Sequence, residues 1–346
     1  MPQTAKEWVL GMKDFNQHRR LSVPGKVFLL GEYAVLHGFP GLLLSTRPRF
    51  VMEYQGGEVD TAFAQEFRSS LSMDSVHPDS PAGKLLVSVR RGRDRASSIR
   101  FFDPYGYGGF GASCAQYLLL RVLLEGGRLP SRELWTTYLG DYLTLFSEAS
   151  RPSGLDLVSQ FVGGRVWIDA RAGSLKDLNP EFPWQNLLVF SATELPGRKV
   201  ATHDHLTSIQ LLPPSLLSKL GELVHGAASS IESVQPAALG KAMTEYASLL
   251  AQLGFESEAA REDRLAFSEL RGVLGSKGCG AGLSDVIIVL AENIERDGGA
   301  ICSLAEQRGL KLVQAGVDVE PGLKIEEMKL GRKESASVQS TRQSPL

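Results

Sequence analysis

The alternation of apolar and polar positions predicts a first half of the chain built mainly from strands. Short runs of β-branched, leucine and aromatic residues are separated by turns that contain glycine or proline. The strands predicted from these runs cover residues 27–30, 42–45, 50–54, 85–89, 99–102 and 165–169. Apolar residues spaced three and four apart predict two longer helices in the same half, at 112–124 and 134–149. This half is therefore expected to be a mixed α/β unit.

The second half is dominated by apolar residues at helical spacing. The helices predicted there cover residues 213–234, 237–255, 258–274 and 291–308. Shorter apolar runs predict strands at 187–191, 286–290 and 310–315. Helices that alternate with a few strands in this way are typical of an α+β lobe.

These patterns predict two lobes flanked by two short end segments. Residues 1–20 are predicted to form a helical arm, and residues 21–172 the first domain. The stretch 173–185 contains two prolines and is predicted to be a linker. The second domain then covers 186–330, and residues 331–346, which have little to bury, are expected to be a disordered tail.

Composition narrows the functional classes. The chain has 346 residues, 43% of them hydrophobic, and a formal net charge of −2, so it presents no global basic field for nucleic acid or an anionic membrane. Its three cysteines, Cys114, Cys279 and Cys302, lack metal-ligand spacing, which favours a reducing compartment. No long apolar run or signal sequence is evident, so a cytoplasmic protein with a small-molecule substrate is expected. The sequence leaves a monomer or a homodimer open.

A glycine-rich turn runs directly into the predicted helix 112–124. Glycine lets the backbone approach a ligand closely, and the first turn of a helix presents unpaired amides to an anion. The spacing fits neither the P-loop nor the dinucleotide-binding pattern, and a tight turn that only caps a core helix is the simpler alternative. The residues predicted to bind a phosphate group here are Gly108, Gly109, Phe110, Gly111, Ala112, Ser113 and Cys114.

Four segments together resemble the motifs of the GHMP kinases, the superfamily of galactokinase, homoserine kinase, mevalonate kinase and phosphomevalonate kinase. The first is Val23-Pro-Gly-Lys-Val-Phe-Leu-Leu-Gly-Glu-Tyr-Ala-Val-Leu36, and the glycine turn at 108–115 resembles the second. Pro152-Ser-Gly-Leu-Asp156 resembles the catalytic aspartate segment, and Lys277-Gly-Cys-Gly-Ala-Gly282 the third motif. The resemblance implies an α+β, two-lobed fold with an N-terminal α/β lobe like ribosomal protein S5, a C-terminal ferredoxin-like lobe, and an active site in the cleft between them.

The resemblance also implies an ATP- and Mg²⁺-dependent phosphotransferase. Asp156 would orient or accept the proton of the acceptor hydroxyl, and Lys26 would stabilise negative charge beside it. Ser113 would bind the metal, with Glu148 as a candidate second ligand, because the position that carries a glutamate in mevalonate kinases is Leu145 here. Simpler roles remain open: Asp156 could start a helix, Lys26 could be a turn charge, and Glu148 could face solvent on a helix.

Further site residues follow from the same resemblance. The turn formed by Gly280, Ala281 and Gly282 would approach the nucleotide, and the predicted substrate-binding residues are Glu32, Tyr33, Ser153, Gly154, Lys199 and Thr202. His203-Asp204-His205 offers only two ligands on one side of an extended segment, so a polar turn is the preferred interpretation there.

The motif details are mixed between phosphomevalonate kinase and mevalonate kinase. Extra cations, among them Arg90, Arg91, Arg93, Arg95 and Arg151, favour the phosphorylated acceptor. Phosphomevalonate is therefore the first choice of acceptor and mevalonate the second. A homologue that binds a nucleotide or metabolite without transferring phosphate is the third interpretation, because the set of metal ligands is incomplete: Ala112 replaces one serine of the second motif, and Leu145 stands where mevalonate kinases carry a glutamate.

Overall fold

The structure is a computed structural model that describes residues 19–55, 69–72, 76–90, 98–106, 109–192, 213–280 and 283–327. The strands in these ranges are β1 Arg19–Leu30, β2 Gly41–Gln55, β3 Ser69–Ser72, β4 Ser98–Asp103, β5 Arg165–Asp169, β6 Ser174–Asp177, β7 Leu187–Ser191, β8 Val273–Cys279, β9 Val286–Ala291, β10 Lys311–Ala315 and β11 Lys324–Glu327. The α-helices are α1 Pro81–Arg90, α2 Ala112–Leu124, α3 Trp135–Leu143, α4 Leu155–Val162, α5 Pro214–Glu232, α6 Pro236–Gln252, α7 Glu258–Ser268 and α8 Ile294–Gln307.

The first lobe is built on an antiparallel sheet with β1 and β2 at its centre. The order is β11-β1-β2-β4-β3, and β5 pairs with the first part of β2 and carries β6 beside it. The register between β1 and β2 shifts after Pro24, which places a bulge immediately before Lys26. Helices α2 and α4 pack on this sheet and bury their apolar faces in its core.

The second lobe is a four-stranded antiparallel sheet in the order β10-β7-β9-β8. All six residues of β9 are buried, as expected for a strand covered on both faces. Ile287 and Val289 face a cluster formed with α7 and α8, whereas Ile288 and Leu290 face the core that α5 and α6 share with the first lobe. One hydrophobic core thus runs through both lobes and fixes them against each other.

The two-lobed fold implied by the motifs is confirmed, but several predicted elements are wrong. The segment predicted as a strand at 85–89 belongs to α1, because Pro81 opens that helix and the Ser80 hydroxyl accepts the amide of Gly83 at 3.0 Å. The helix predicted to reach residue 149 ends at Leu143, and the carbonyl of Leu145 instead accepts from Lys84 at 2.7 Å.

The chain also crosses the predicted domain limits. Strand β6 lies inside the stretch predicted as a linker, and β11 returns from the second lobe to pair with β1. The helix predicted at 258–274 ends at Ser268, and Gly272, with a φ of 85°, turns the chain into β8. The predicted arm at 1–20 lies almost entirely outside the described residues, as does the whole tail at 331–346. None of the helices in the described ranges combines the length and apolar character that crossing a membrane requires.

Candidate functional site

A lysine and an aspartate from different elements meet at the centre of the first lobe. The ammonium of Lys26, on β1, lies 3.0 Å from a carboxylate oxygen of Asp156, in the first turn of α4. Gly154 caps that helix in the left-handed conformation, which only glycine adopts without strain, and so directs the helix start toward β1. The side chain of Lys26 is 7% exposed and that of Asp156 is 31% exposed, so the pair is reachable mainly at its carboxylate.

The environment keeps Lys26 charged. Burial alone lowers the pKa of Lys26, but the adjacent Asp156 carboxylate outweighs it, and the pKa of Lys26 ends above its usual value. The ammonium also lies 5.4 Å from the centroid of the Phe28 ring, a favourable cation–π distance. A lysine that is protonated at neutral pH, beside a partly exposed carboxylate, can stabilise negative charge and orient a hydroxyl group that approaches Asp156.

The glycine turn before α2 is joined to the lysine by its backbone. The amide of Lys26 donates to the carbonyl of Phe110 at 3.0 Å, and the side-chain amide of Gln160 donates to the carbonyl of Pro24 at 3.1 Å. Gly111 has a φ of 92°, and a Cβ atom there would lie 2.9 Å from the Gln160 side-chain nitrogen. The turn therefore depends on a glycine at this position.

Two stacked aromatic rings hold the glycine turn before α2 against the core. The rings of Phe110 and Tyr105 lie 4.0 Å apart and nearly parallel, and Phe110 is fully buried. The Tyr105 hydroxyl donates to the carbonyl of Pro48 at 2.6 Å and is 2.8 Å from the hydroxyl of Thr46. Sequence analysis identified Phe110 as part of a binding turn, but its side chain points into the core.

The first turn of α2 carries the predicted phosphate and metal residues. Ala112 opens the helix, and Ser113, next to it, is exposed. Cys114 is buried, its thiol donates to the Tyr142 hydroxyl at 3.4 Å, and burial raises its pKa to about 12. The helix start therefore offers backbone amides and one hydroxyl, from Ser113, to an anionic ligand.

The second and third glycine turns converge on one aspartate. A Cβ atom added at Gly109 would lie 2.8 Å from the Cβ of Asp285, and one added at Gly280 would lie 2.5 Å from an Asp285 carboxylate oxygen. Both glycines have positive φ, and Asp285 immediately precedes β9 of the second lobe. The two predicted nucleotide turns thus lie against each other across the lobes. Gly108, Ala281 and Gly282 fall outside the described residues.

Glu32 and Tyr33 follow β1 and are both buried. The Glu32 carboxylate forms an ion pair with Lys277, a lysine of β8 with no exposed surface. Tyr33 has a φ of 68°, and its ring stacks on Phe255 at 4.9 Å. No role was assigned to Lys277 from sequence, although a charged residue within a strand otherwise suited to burial was a usable signal, because a buried lysine needs a partner.

A cavity of about 420 Å³ lies beside the segment that leads to Asp156. Its polar lining consists of two hydroxyl groups, three basic side chains and one carboxylate. These residues are Ser150 and Ser153, then His37, Arg151 and Arg171, and Glu148. Glu148 starts a short 3-10 helix, is exposed, and borders this cavity. The aliphatic part of the Arg171 side chain packs against Gly38. A Cβ atom added to Gly38 would lie 3.0 Å from the Cδ of Arg171.

Several predicted residues cannot be placed. Lys199 and Thr202, and the neighbouring His203, Asp204 and His205, lie outside the described residues, as do Arg91, Arg93 and Arg95. In the described ranges, no group of three or more histidine, cysteine, aspartate or glutamate side chains could hold a metal ion by itself. A magnesium ion that carries a nucleotide needs few protein ligands, since phosphate oxygens and water fill most of its coordination shell. An exposed Ser113 hydroxyl at a helix start is compatible with that limited role.

Comparison with known proteins places the fold. No protein-family model matches the sequence, and no curated protein matches it either. Many solved structures share its fold. A protein from Listeria innocua has a TM-score of 0.67 at 14% identity, over 90% of this chain and 100% of that chain. The Lactococcus lactis galactokinase complexed with galactose has a TM-score of 0.63 at 14% identity, over 92% and 98%.

Solved structures of phosphomevalonate kinase and mevalonate kinase share the fold as well. The Streptococcus pneumoniae phosphomevalonate kinase in complex with phosphomevalonate and AMPPNP has a TM-score of 0.63 at 16% identity, over 89% of this chain and 99% of that chain. Mevalonate and homoserine kinases also match. The chain therefore has the two-lobed fold of the GHMP kinases, as its four motifs indicate. Within that fold, matches to four acceptor specificities at low identity leave the acceptor open.

Proposed function

We propose that this protein is an ATP-dependent small-molecule kinase of isoprenoid precursor synthesis, which transfers the γ-phosphoryl group of ATP to phosphomevalonate. The observation that carries the proposal is the 3.0 Å contact between Lys26 and Asp156, next to the turn that precedes α2. Phosphoryl transfer asks a protein mainly to position its substrates and to stabilise charge. A buried ammonium, a partly exposed carboxylate and two converging glycine turns meet those needs.

Each group has a distinct part in this reaction. The amides of the turn at 109–113 and the first turn of α2 would bind the nucleotide phosphates. With phosphomevalonate, an oxygen of its phosphate group would attack the γ-phosphorus as the bond to ADP breaks, and Asp156 would orient that group for the attack. With mevalonate, the alternative acceptor, Asp156 would take the proton of the attacking hydroxyl. In both cases Lys26 would stabilise the negative charge on the attacking oxygen. When bound by Ser113 and the nucleotide, with Glu148 as a candidate second ligand, Mg²⁺ would neutralise charge on the phosphates.

The cavity beside Ser153 supports an acceptor with more than one anionic group. Arg151 and Arg171 line it together with His37, against one carboxylate, Glu148. Arginine binds phosphate and carboxylate groups through paired hydrogen bonds, so this lining suits an acceptor that is already phosphorylated. Ser153 is three residues from Asp156, which would put such an acceptor near the reacting carboxylate.

A coupled assay of ADP release with phosphomevalonate and with mevalonate, in the presence of Mg²⁺, tests the proposal. We expect kcat/KM to be higher for phosphomevalonate, and Asp156→Asn to lower kcat by about 10²–10⁴-fold with nucleotide binding retained. A higher kcat/KM for mevalonate would show that mevalonate is the acceptor, and the proposed class of reaction, phosphoryl transfer from ATP, would stand. Nucleotide binding without turnover of any GHMP acceptor would contradict the kinase and favour a protein that only binds nucleotide.

The arginines of the cavity have their own test. Arg151→Gln and Arg171→Gln should each raise the KM for phosphomevalonate by roughly tenfold, the loss of one good charge-assisted contact. Arg132→Gln is the matched control, because Arg132 pairs with Asp177 on the surface of the first lobe. An unchanged KM in both cavity variants would remove the cavity from the acceptor site.

A further inference from the structure

The end of β1 is held by side chains from the second lobe. The Tyr246 hydroxyl, from α6, donates to the carbonyl of Glu32 at 2.6 Å, and the Lys277 ammonium, from β8, pairs with the Glu32 carboxylate. The Cys279 thiol donates to the carbonyl of Phe28 at 3.1 Å. We call Glu32, Tyr246, Lys277 and Cys279 the lobe clamp. All four are buried, and Tyr246 and Lys277 have no exposed surface.

Stability alone is a poor explanation for the charged pair in this clamp. Moving a lysine and a glutamate out of water is unfavourable for each ion, and well-packed apolar residues are often at least as stable in their place. Here the second carboxylate oxygen of Glu32 is buried and has no hydrogen-bond partner in the described part of the chain. The loss of hydration of Glu32 is thus only partly compensated by Lys277. The clearer consequence of the pair is that it fixes the positions of two segments.

The clamp reaches both sides of the candidate site. Lys277 donates to the carbonyl of Gly278 at 2.7 Å, where the third glycine turn begins, and its ammonium is 3.5 Å from the carbonyl of Phe28. Phe28 is two residues from Lys26 on the same strand, so the two side chains share one face of the sheet. The Lys277 ammonium therefore ties the third turn to the strand that carries Lys26.

The clamp also separates charges. Burial raises the pKa of Glu32, and the charges of Lys277 and, more weakly, Lys26 act against that rise. With Lys277 present, Glu32 forms an ion pair with Lys277, and Lys26 forms an ion pair with Asp156. Without Lys277, Glu32 would be an unpaired buried carboxylate and would attract Lys26 away from Asp156.

We propose that Lys277 and Glu32 are positioning residues, which fix the third glycine turn against β1 and hold Lys26 on Asp156 without touching the substrate. This inference rests on the proposed kinase function, and it assigns Glu32 to a task other than acceptor binding.

The main test is kinetic. Lys277→Met should lower kcat at least tenfold while the KM for the acceptor changes less than threefold. Glu32→Gln, which keeps the shape and an acceptor oxygen, should change the acceptor KM less than threefold. The double variant Glu32→Gln, Lys277→Met should recover kcat relative to Lys277→Met, because no unpaired carboxylate competes for Lys26. A tenfold rise of acceptor KM in Glu32→Gln, or a double variant worse than Lys277→Met, would overturn the proposal.

A matched control separates positioning from general destabilisation. Arg264 forms a similarly buried pair with Glu256 at 2.7 Å within the second lobe. Arg264→Met should lower the midpoint of thermal unfolding but leave kcat within threefold of the wild type. If Arg264→Met lowers kcat as much as Lys277→Met does, the effect is one of stability and the proposal fails.

An activity-independent measurement keeps this inference distinct from the proposed function. The test is amide hydrogen exchange resolved at the amide of Lys26, which donates to Phe110; Lys277→Met should speed that exchange at least tenfold, whereas Arg264→Met should not. This result would support the clamp even if the wild type transferred no phosphate. Unchanged exchange would overturn it. Should Lys277→Met fail to fold, Lys277→Arg takes its place, with exchange expected to rise less than threefold and a tenfold rise counting against the proposal.

Discussion

The backbone amide of Lys26 donates to the carbonyl of Phe110 at 3.0 Å. This bond joins the first motif of the chain to the glycine turn before α2, outside the regular pairing of either element. Because backbone positions are set by the surrounding sheet and helix, the bond fixes the backbone of Lys26 relative to the turn before α2. If the proposed function is right, this bond pre-organises the candidate site at the backbone.

The charge of Lys26 should matter more for turnover than for nucleotide binding. Lys26→Met removes the ammonium that faces Asp156, and we expect kcat to fall by roughly 10²–10³-fold, the usual effect of losing one electrostatic stabiliser. The Kd for ADP, measured by calorimetry, should change less than tenfold. Lys219→Met is the control, since Lys219 makes only an exposed pair with Glu245 at 3.7 Å. Full activity in Lys26→Met would exclude the lysine from catalysis.

Gly111 should not tolerate a side chain. Gly111→Ala combines a φ of 92° with a Cβ atom 3.2 Å from the Cε of Lys26, so we expect the free energy of unfolding to fall by about 1–3 kcal/mol, with a loss of activity. Urea unfolding monitored by circular dichroism measures the change.

A second glycine supplies the comparison for Gly111. Gly140 lies in α3 with nothing within 4 Å of its added Cβ, so Gly140→Ala should raise the free energy of unfolding by about 0.5–1 kcal/mol. Equal effects of the two substitutions would show that the turn does not need glycine at Gly111.

The Lys26–Asp156 pair should make stability fall at high pH. The pKa of Lys26 is raised in the folded protein above its ordinary value of 10.5. A raised lysine pKa means that the stabilisation is complete below the unfolded value, and is lost as the pH rises through the folded value. Urea unfolding between pH 8 and pH 11 should show a decline at the upper end that is weaker in Lys26→Met. A variant with the same decline as the wild type would assign it to other groups.

The thiols of Cys114 and Cys279 should be unreactive in the folded protein. Burial raises the pKa of each to about 12, so little thiolate is present at pH 8. Cys302 is only partly buried, although burial raises its pKa as well. With a chromogenic disulfide reagent at pH 8, Cys302 should react first and the other two only with unfolding. Fast labelling of Cys114 would contradict the burial of its side chain.

Sequence patterns were most informative where a residue type is required by local geometry. The positive φ of Gly109, Gly111 and Gly280 explains why glycines mark both turns, and β9 was predicted from its apolar run alone. Patterns failed where packing or capping decided the outcome. The residues at 85–89 form a short apolar run rich in leucine and valine, as in a strand, yet Ser80 and Pro81 start a helix through them. Tyr105 could not be paired with Phe110 from sequence, because the position of the Tyr105 ring depends on its contacts with Thr46 and Pro48 of β2.

The sequence by itself determined the motif set, the need for glycine at the turns, and the candidates Lys26, Ser113 and Asp156, because these properties belong to single residues or to neighbours along the chain. Only the tertiary structure decided that Lys26 meets Asp156, that Glu32 is paired with Lys277, and that Asp285 lies between the two turns. Each of these contacts joins segments distant in sequence. The geometry of these contacts follows from the continuous core that holds the two sheets together. Patterns among neighbouring residues do not predict how such a core packs.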